Sequence, residues 1–343
     1  MGKNGRVVGV QERFDQKEVA FTRLGMGKLG DGPKERWLRE SVDPYWRALY
    51  GYTRKENSVV NQLRKAVDGP VRPQQVPVED PAAMSERIKE AARFFGADLV
   101  GISAMDPAYV YSHRGRNTDL EDGCFGEEIV NDHAFAVVIG RAMDYDRIKT
   151  SPSYASDAET GKAYAEAAKT SVMMAGFIRE LGYPARAHHF RQDEVIHPPL
   201  AVAAGLGEMG RFGYVINAVY GPRFRTAVVT TDLPLAADGP VDLGVSELCE
   251  LCRKCVDHCP AQCIPPGEKS VVRGVEKWTI EADNCMRFWA AKPERNLCCA
   301  NCMASCPYNK RNTWYHQLAV KIARRSRLGA RALLALDDLL YGR

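Results

Sequence analysis

Apolar residues recur at helical spacing after Asp80-Pro81, where Ile88, Ala91, Ala92 and Phe95 fall on one face. The aspartate suits an N-cap, proline suits the first helical position, and Gly96 ends the run. Short unbroken apolar stretches at Asp98 to Ser103 (DLVGIS), Phe135 to Gly140 (FAVVIG) and Thr226 to Asp232 (TAVVTTD) read as buried strands. From about Asp157 to Leu181, one helical face carries Tyr164, Ala168, Val172, Ala175 and Ile178, and Gly182 stops it. Helices alternating with short strands predict an α+β protein with an α/β lobe over 81–244. Residues 1–80 break the pattern. Asp31-Gly32-Pro33, Asp68-Gly69-Pro70, Pro73 and Pro77 predict an irregular arm wrapped over the main lobe. Residues 245–312 are loop-rich. Residues 313–343 predict a C-terminal helix packed on the core, helical over 315–340. Its basic face (Lys321, Arg324, Arg325, Arg327, Arg331) reads most simply as solvated surface, a membrane or partner role being the alternative.

A chain of 343 residues exceeds the usual size of one core, so two lobes are expected. The hydrophobic fraction of 45% and charged fraction of 26% are those of a folded protein. With a net charge of +4 and no dominant Lys/Arg block, no nucleic-acid partner is expected. The first forty residues are charged and hold no apolar run long enough for a signal core, which predicts a cytoplasmic chain as written.

Cysteine distribution changes the picture most. Ten of the eleven cysteines fall between Cys249 and Cys306, a density that points to metal rather than to scattered disulfides. The run Cys249-x-x-Cys252-x-x-Cys255-x-x-x-Cys259-Pro260 has the bacterial ferredoxin spacing. Three thiolates two residues apart can wrap one cubane, while the fourth is carried away by the turn to the other cluster. A second run, Cys299-x-x-Cys302-x-x-x-Cys306-Pro307, lacks its first cysteine, which either Cys285 or Cys298 could supply. Adjacent cysteines rarely reach one cluster together, which favours Cys285. The crossed assignment gives Cys249, Cys252, Cys255 and Cys306 to one [4Fe–4S] cluster and Cys259, Cys285, Cys299 and Cys302 to the other. Cys124, Cys263 and Cys298 are then spare and read as small buried hydrophobes. Structural zinc is the competing metal, but its sites use paired C-x-x-C knuckles rather than three close thiolates ending in Cys-Pro.

About seventy residues serve the clusters, so the larger lobe must do something else. Its densest feature is Gly205-Leu206-Gly207-Glu208-Met209-Gly210-Arg211, where glycines would let a bulky ligand approach the backbone. The G-x-G-x-x-G spacing is met, but the strand–turn–helix context of a dinucleotide site is not.

Several segments together resemble the catalytic subunit of the corrinoid-dependent reductive dehalogenases, which are related to epoxyqueuosine reductase. They are Phe14-Asp15 with Ala20 to Arg23, AARFFGADLVG (91–101), FIRELGYPA (177–185), AGLGEMGR (204–211), GPRFR (221–225), Thr231 to Leu235, both cysteine runs, and Asp337-Asp338 to Tyr341-Gly342. The resemblance implies a nitroreductase-like lobe that binds cobalamin or a related corrinoid without a histidine below cobalt, and the chain has no D-x-H-x-x-G motif. It implies corrinoid contacts at Gly205, Gly207, Glu208, Gly210, Arg211 and His197. It also implies chemistry in which cobalt is reduced to Co(I) by electrons from two [4Fe–4S] clusters, a carbon–halogen bond breaks and a proton replaces the halide. The donor positions match Tyr164, assisted by Arg223, with Tyr154 as the fallback. A guanidinium beside a phenol stabilises the phenolate. From the residues alone, Tyr164 reads as a packed helix aromatic, and Arg223 as a partner for a carboxylate or a corrinoid amide. The implied partners are a small organohalide, a reduced ferredoxin, flavodoxin or quinol-linked electron donor, and a small membrane-anchor subunit. Removal of a twin-arginine leader would make the chain exported and membrane-associated. The competing functions are an epoxyqueuosine-reductase-like tRNA-modifying enzyme, a corrinoid-free ferredoxin-type electron carrier, and a corrinoid-binding protein without turnover.

Overall fold

The structure is a computed structural model and describes residues 4–33, 45, 49, 58–115, 124–291 and 299–342. Helix α1 (Ala20–Gly25) lies in the arm. Helix α2 (Pro81–Phe94) starts as the sequence predicts, with Asp80 Oδ1 accepting the N–H groups of Ala82 and Ala83. Strands β1 (Leu99–Ala104) and β2 (Phe135–Ala142) come next. Helix α3 (Tyr154–Glu180) begins earlier than expected, because Ser153 and Ser156 form a reciprocal cap. Strand β3 (Ala185–His188), helix α4 (His197–Ala203) and strand β4 (Phe224–Thr231) complete the lobe. The sheet order is β1-β2-β4-β3, antiparallel throughout.

Strand alternation sorts the lobe's core into two layers. Val137, Ile139 and Val229 face α2 and α3, where they meet Ile88, Ala92, Met174 and Ile178. Ala136, Val138 and Val228 face α4, where they meet Leu200, Ala201 and Leu206. Both faces are covered, so the strands read as unbroken apolar runs rather than alternating ones. Each fully buried isoleucine contributes roughly 1.5–3 kcal/mol.

The cysteine region is built on α5 (Val245–Leu251), α6 (Lys254–Asp257), α7 (Ala282–Ala291) and α8 (Asn301–Ala304). The arm is less irregular than its composition predicts, and it crosses to this region. Arg6–Val7 pairs with Val275–Glu276 beside the strand Ser270–Val272. Leu24 and Leu29 pack on Met286 and Ala290 of α7. The expected single C-terminal helix is two: α9 (Trp314–Arg325) and α10 (Arg327–Tyr341). Ser326 breaks them with extended backbone and accepts the Gly329 N–H on its hydroxyl at 3.0 Å. A Cβ on Gly329 would lie 2.8 Å from Ile322 Cγ2, so glycine lets the hairpin close. Asp337 ties α10 down through Lys254 and Lys310. Among the described residues no helix is long and apolar enough to cross a membrane.

Candidate functional site

Helices α5 and α6 and the Cys306-Pro307 turn bring Cys249, Cys252, Cys255 and Cys306 onto one small cavity, closed by Phe212, Leu248 and Tyr308. Burial pushes the Cys249 thiol up to about 12, and raises Cys252, Cys255 and Cys306 as well. Left alone, these thiols hold their protons; a coordinating metal would remove them outright. Among the described residues, no three His, Cys, Asp or Glu side chains converge on a single-ion site. Donors spread around a cavity suit a cluster, in which each iron takes its own thiolate.

Cys259, Cys285 and Cys302 pack in the same apolar cluster as that cavity, while Cys298 lies outside the described residues. Cys263, read from sequence as a spare hydrophobe, is buried but is more than that. Its sulfur is 3.4 Å from Cys259 Sγ, and its thiol also hydrogen-bonds with Cys285. The signal that could have located it is its place four residues after Cys259, one turn further along the chain. Cys124 is half-buried and far from these runs in sequence.

The glycines of the glycine-dense segment pack closely against the chain itself. Glu208–Met209 and Val215–Ile216 form a short antiparallel hairpin. A Cβ on Gly207 would come within 2.2 Å of Ile216 O, one on Gly210 within 2.7 Å of Ile216 Cδ1, and one on Gly205 within 2.8 Å of Gly239 O. The glycines admit the chain's own backbone and side chains. Glu208 Oε2 accepts the N–H groups of Leu243 and Val245, fixing the start of α5. The Arg211 guanidinium donates to the carbonyls of Cys249, Pro265 and Gly267 and lies over Trp278 at 4.2 Å. Glu208 and Arg211 therefore shape the loop that carries the first thiols.

Tyr164, midway along α3, stacks on Phe190 with centroids 4.5 Å apart. Its cationic neighbour is Arg225, not Arg223: the Arg225 guanidinium is 5.2 Å from the Tyr164 ring and 5.4 Å from the Tyr214 ring. Arg223 lies before β4 begins and is spent elsewhere, donating to Met143 O and Lys310 O. His197 lies on the other face of the sheet from Arg225. It bonds Thr226 Oγ1 at 3.2 Å, and Thr226 points to the α4 face while Arg225 points to the α3 face. Tyr154 opens α3, about 15 Å along its axis from Tyr164. A row of contacts joins the two halves of the site. Phe212 closes the thiol cavity, its ring is 5.5 Å from Tyr214, and Tyr214 meets Arg225.

A corrinoid is rimmed with amides and needs polar partners in an otherwise apolar pocket. Asn309, three residues after Cys306, has both side-chain amide atoms buried without a partner, as has Arg223 Nε beside it at Lys310. These groups fit such a ligand.

Residues 248–310 match the family model of the 4Fe-4S dicluster domain. The tetrachloroethene reductive dehalogenase of Dehalobacter restrictus is 37% identical, over 88% of this chain and 62% of that protein. A solved reductive dehalogenase, described with a mechanism for B12-dependent dehalogenation, superposes with a TM-score of 0.85 at 26% identity and covers 99% of this chain and 48% of that one. The epoxyqueuosine reductase of Leadbetterella byssophila is 27% identical, over 66% of this chain and 80% of that protein. The chain thus spans 62% of the length of the first of these dehalogenases and 48% of the second. In sequence over most of the chain and in backbone over nearly all of it, the chain is similar to reductive dehalogenases.

Proposed function

We propose that this chain reduces a small organohalide: two electrons and one proton convert the carbon–halogen bond to carbon–hydrogen and release halide. Cys249, Cys252, Cys255 and Cys306 hold one [4Fe–4S] cluster, and Cys259, Cys285, Cys299 and Cys302 hold the second. Electrons enter singly from a reduced ferredoxin, flavodoxin or quinol-linked donor, and a small anchor subunit serves membrane attachment. When bound, a corrinoid supplies a cobalt centre reducing enough to break the carbon–halogen bond. Asn309 and Arg223 would bind its polar rim. Tyr164 holds the proton on its phenolic oxygen, and Arg225 beside it stabilises the phenolate left behind.

The observation that carries this reading is the contact row from the thiol cavity through Phe212, Tyr214 and Arg225 to Tyr164. It supports pairing an acid and its electrostatic partner with an electron source three contacts away. Anaerobically purified protein should contain about eight irons per chain, take up cobalt as a corrinoid, and release halide from organohalides with a reduced dye as donor. Iron without cobalt, even after reconstitution, would leave only an electron carrier. Turnover of epoxyqueuosine in tRNA, with none of organohalide, would replace the substrate class.

A further inference from the structure

We propose that Cys263 is a thiol that does not ligate iron but hydrogen-bonds to the Cys259 sulfur of the second cluster and raises that cluster's reduction potential. This rests on the two-cluster reading above and adds a residue to it. Thiolates bound to different irons of one cubane stand apart, because each lies on its own iron's outward bond. The Cys259 and Cys263 sulfurs are instead 3.4 Å apart, at hydrogen-bond distance for sulfur. The contact is built by the chain. Cys263 follows Cys259 by four residues, its own N–H also reaches Cys259 Sγ at 3.5 Å, and its carbonyl is held by the N–H of Glu281. The side chain is 4% exposed, so water does not compete for the bond.

Ligating Cys259 and Cys285 are both thiolates and can only accept; Cys263, in hydrogen-bond contact with both, then donates its S–H to the sulfurs of the second cluster. Reduction adds negative charge to the cluster and its thiolates. A donor aimed at one of those sulfurs stabilises the reduced form more than the oxidised form, which moves the potential upward. Cys263 is thus a positioning residue for electron transfer. It makes the second cluster easier to reduce than its ligand set alone would.

The test uses anaerobically reconstituted full-length chain, with iron and sulfide counted and both clusters titrated by electron paramagnetic resonance. In Cys263→Ala, iron should stay at the unaltered protein's level and one cluster's potential should move to a more negative value. Cys263→Ser keeps a donor at the same place and should restore most of that potential, whereas Cys285→Ser should lose the second cluster. Loss of half the iron in Cys263→Ala would make Cys263 a ligand and overturn the proposal, as would an unchanged potential in that variant. Too little iron for two clusters in the unaltered protein would instead sink the two-cluster reading beneath it.

Discussion

The guanidinium of Arg225 lies 5.2 Å from the ring of Tyr164, although the two residues are sixty-one positions apart and sit on different elements. Strand β4 runs beneath α3, and its alternation turns Arg225 toward the helix. Tyr164→Phe removes the proton while keeping the ring that stacks on Phe190. Iron and cobalt content should stay unchanged, and turnover should fall by about 10²–10⁴-fold, the usual range for losing a general acid. Arg225→Gln should also lower turnover with the metals retained, and unaltered rates would count against a role in stabilising the phenolate. A Tyr164→Phe enzyme with unaltered rates would remove Tyr164 as the donor.

Cys255 separates the two clusters in an experiment. It is buried in the first thiol cavity and contacts no second-cluster cysteine in that cavity. In Cys255→Ser, iron should fall from about eight to about four per chain, and reduction by an external donor should be crippled. Iron analysis showing a full complement would contradict the assignment.

Arg211 supports the first cluster without touching it. Three backbone carbonyls converge on its guanidinium, which is 3% exposed. A lysine at this position carries the charge but not the planar fork that reaches three acceptors. Arg211→Lys should cost on the order of 3 kcal/mol, given charged buried hydrogen bonds of about 1.5–3 kcal/mol each. Thermal melting would show the loss, and the visible absorbance of the clusters should bleach faster in chelator.

Gly207 and Gly267 make a matched pair of substitutions. A Cβ on Gly207 would meet Ile216 O at 2.2 Å, whereas nothing lies within 4 Å of one on Gly267. Gly207→Ala forces the hairpin open and should destabilise the chain by about 3 kcal/mol. Gly267→Ala should change stability by less than about 0.5 kcal/mol, as expected of an uncrowded surface position. Urea midpoints compare the two directly, and equal values would refute the packing account of the glycine segment.

This pair also shows why sequence located some features and misplaced others. The strands around Val137 and Val228 were legible because two covered faces demand unbroken apolar residues, and a short apolar run is readable from its own letters. Asp80-Pro81 was legible because a cap acts within three residues. The glycine segment is ambiguous in sequence because glycine reports only that something comes close. That something is Ile216 O of the segment's own hairpin, and glycine spacing carries no record of it. The basic residue beside Tyr164 was misassigned by two positions. Arg223 and Arg225 have the same strand parity, and only the point where β4 begins decides which guanidinium reaches α3. The break at Ser326 was hidden because Arg-Ser-Arg contains neither glycine nor proline.

His188 gives the fold a built-in sensitivity to acid. The ring is fully buried at the end of β3, with Nδ1 accepting the N–H of Glu194 at 3.2 Å and Nε2 placed 2.9 Å from Thr230 Oγ1. An acceptor at Nδ1 requires the neutral tautomer protonated at Nε2. Burial first, then the charges of Arg186, His197, His133 and His189, holds its pKa well below 6.5. Burial also lowers His133 and His189. In the unfolded chain these rings protonate as pH drops through 6.5, while the folded chain keeps them neutral. Their contribution to stability is therefore fully present above about pH 6.5 and is lost as pH falls from there toward the depressed folded-state values. Each ring adds at most about 1.4 kcal/mol per pH unit to that slope. His188→Gln keeps a side-chain donor and acceptor but does not titrate. Its urea-unfolding free energy should fall less steeply between pH 6.5 and 5 than that of the unaltered chain. Parallel slopes for the two proteins would show that His188 is not the group taking up the proton.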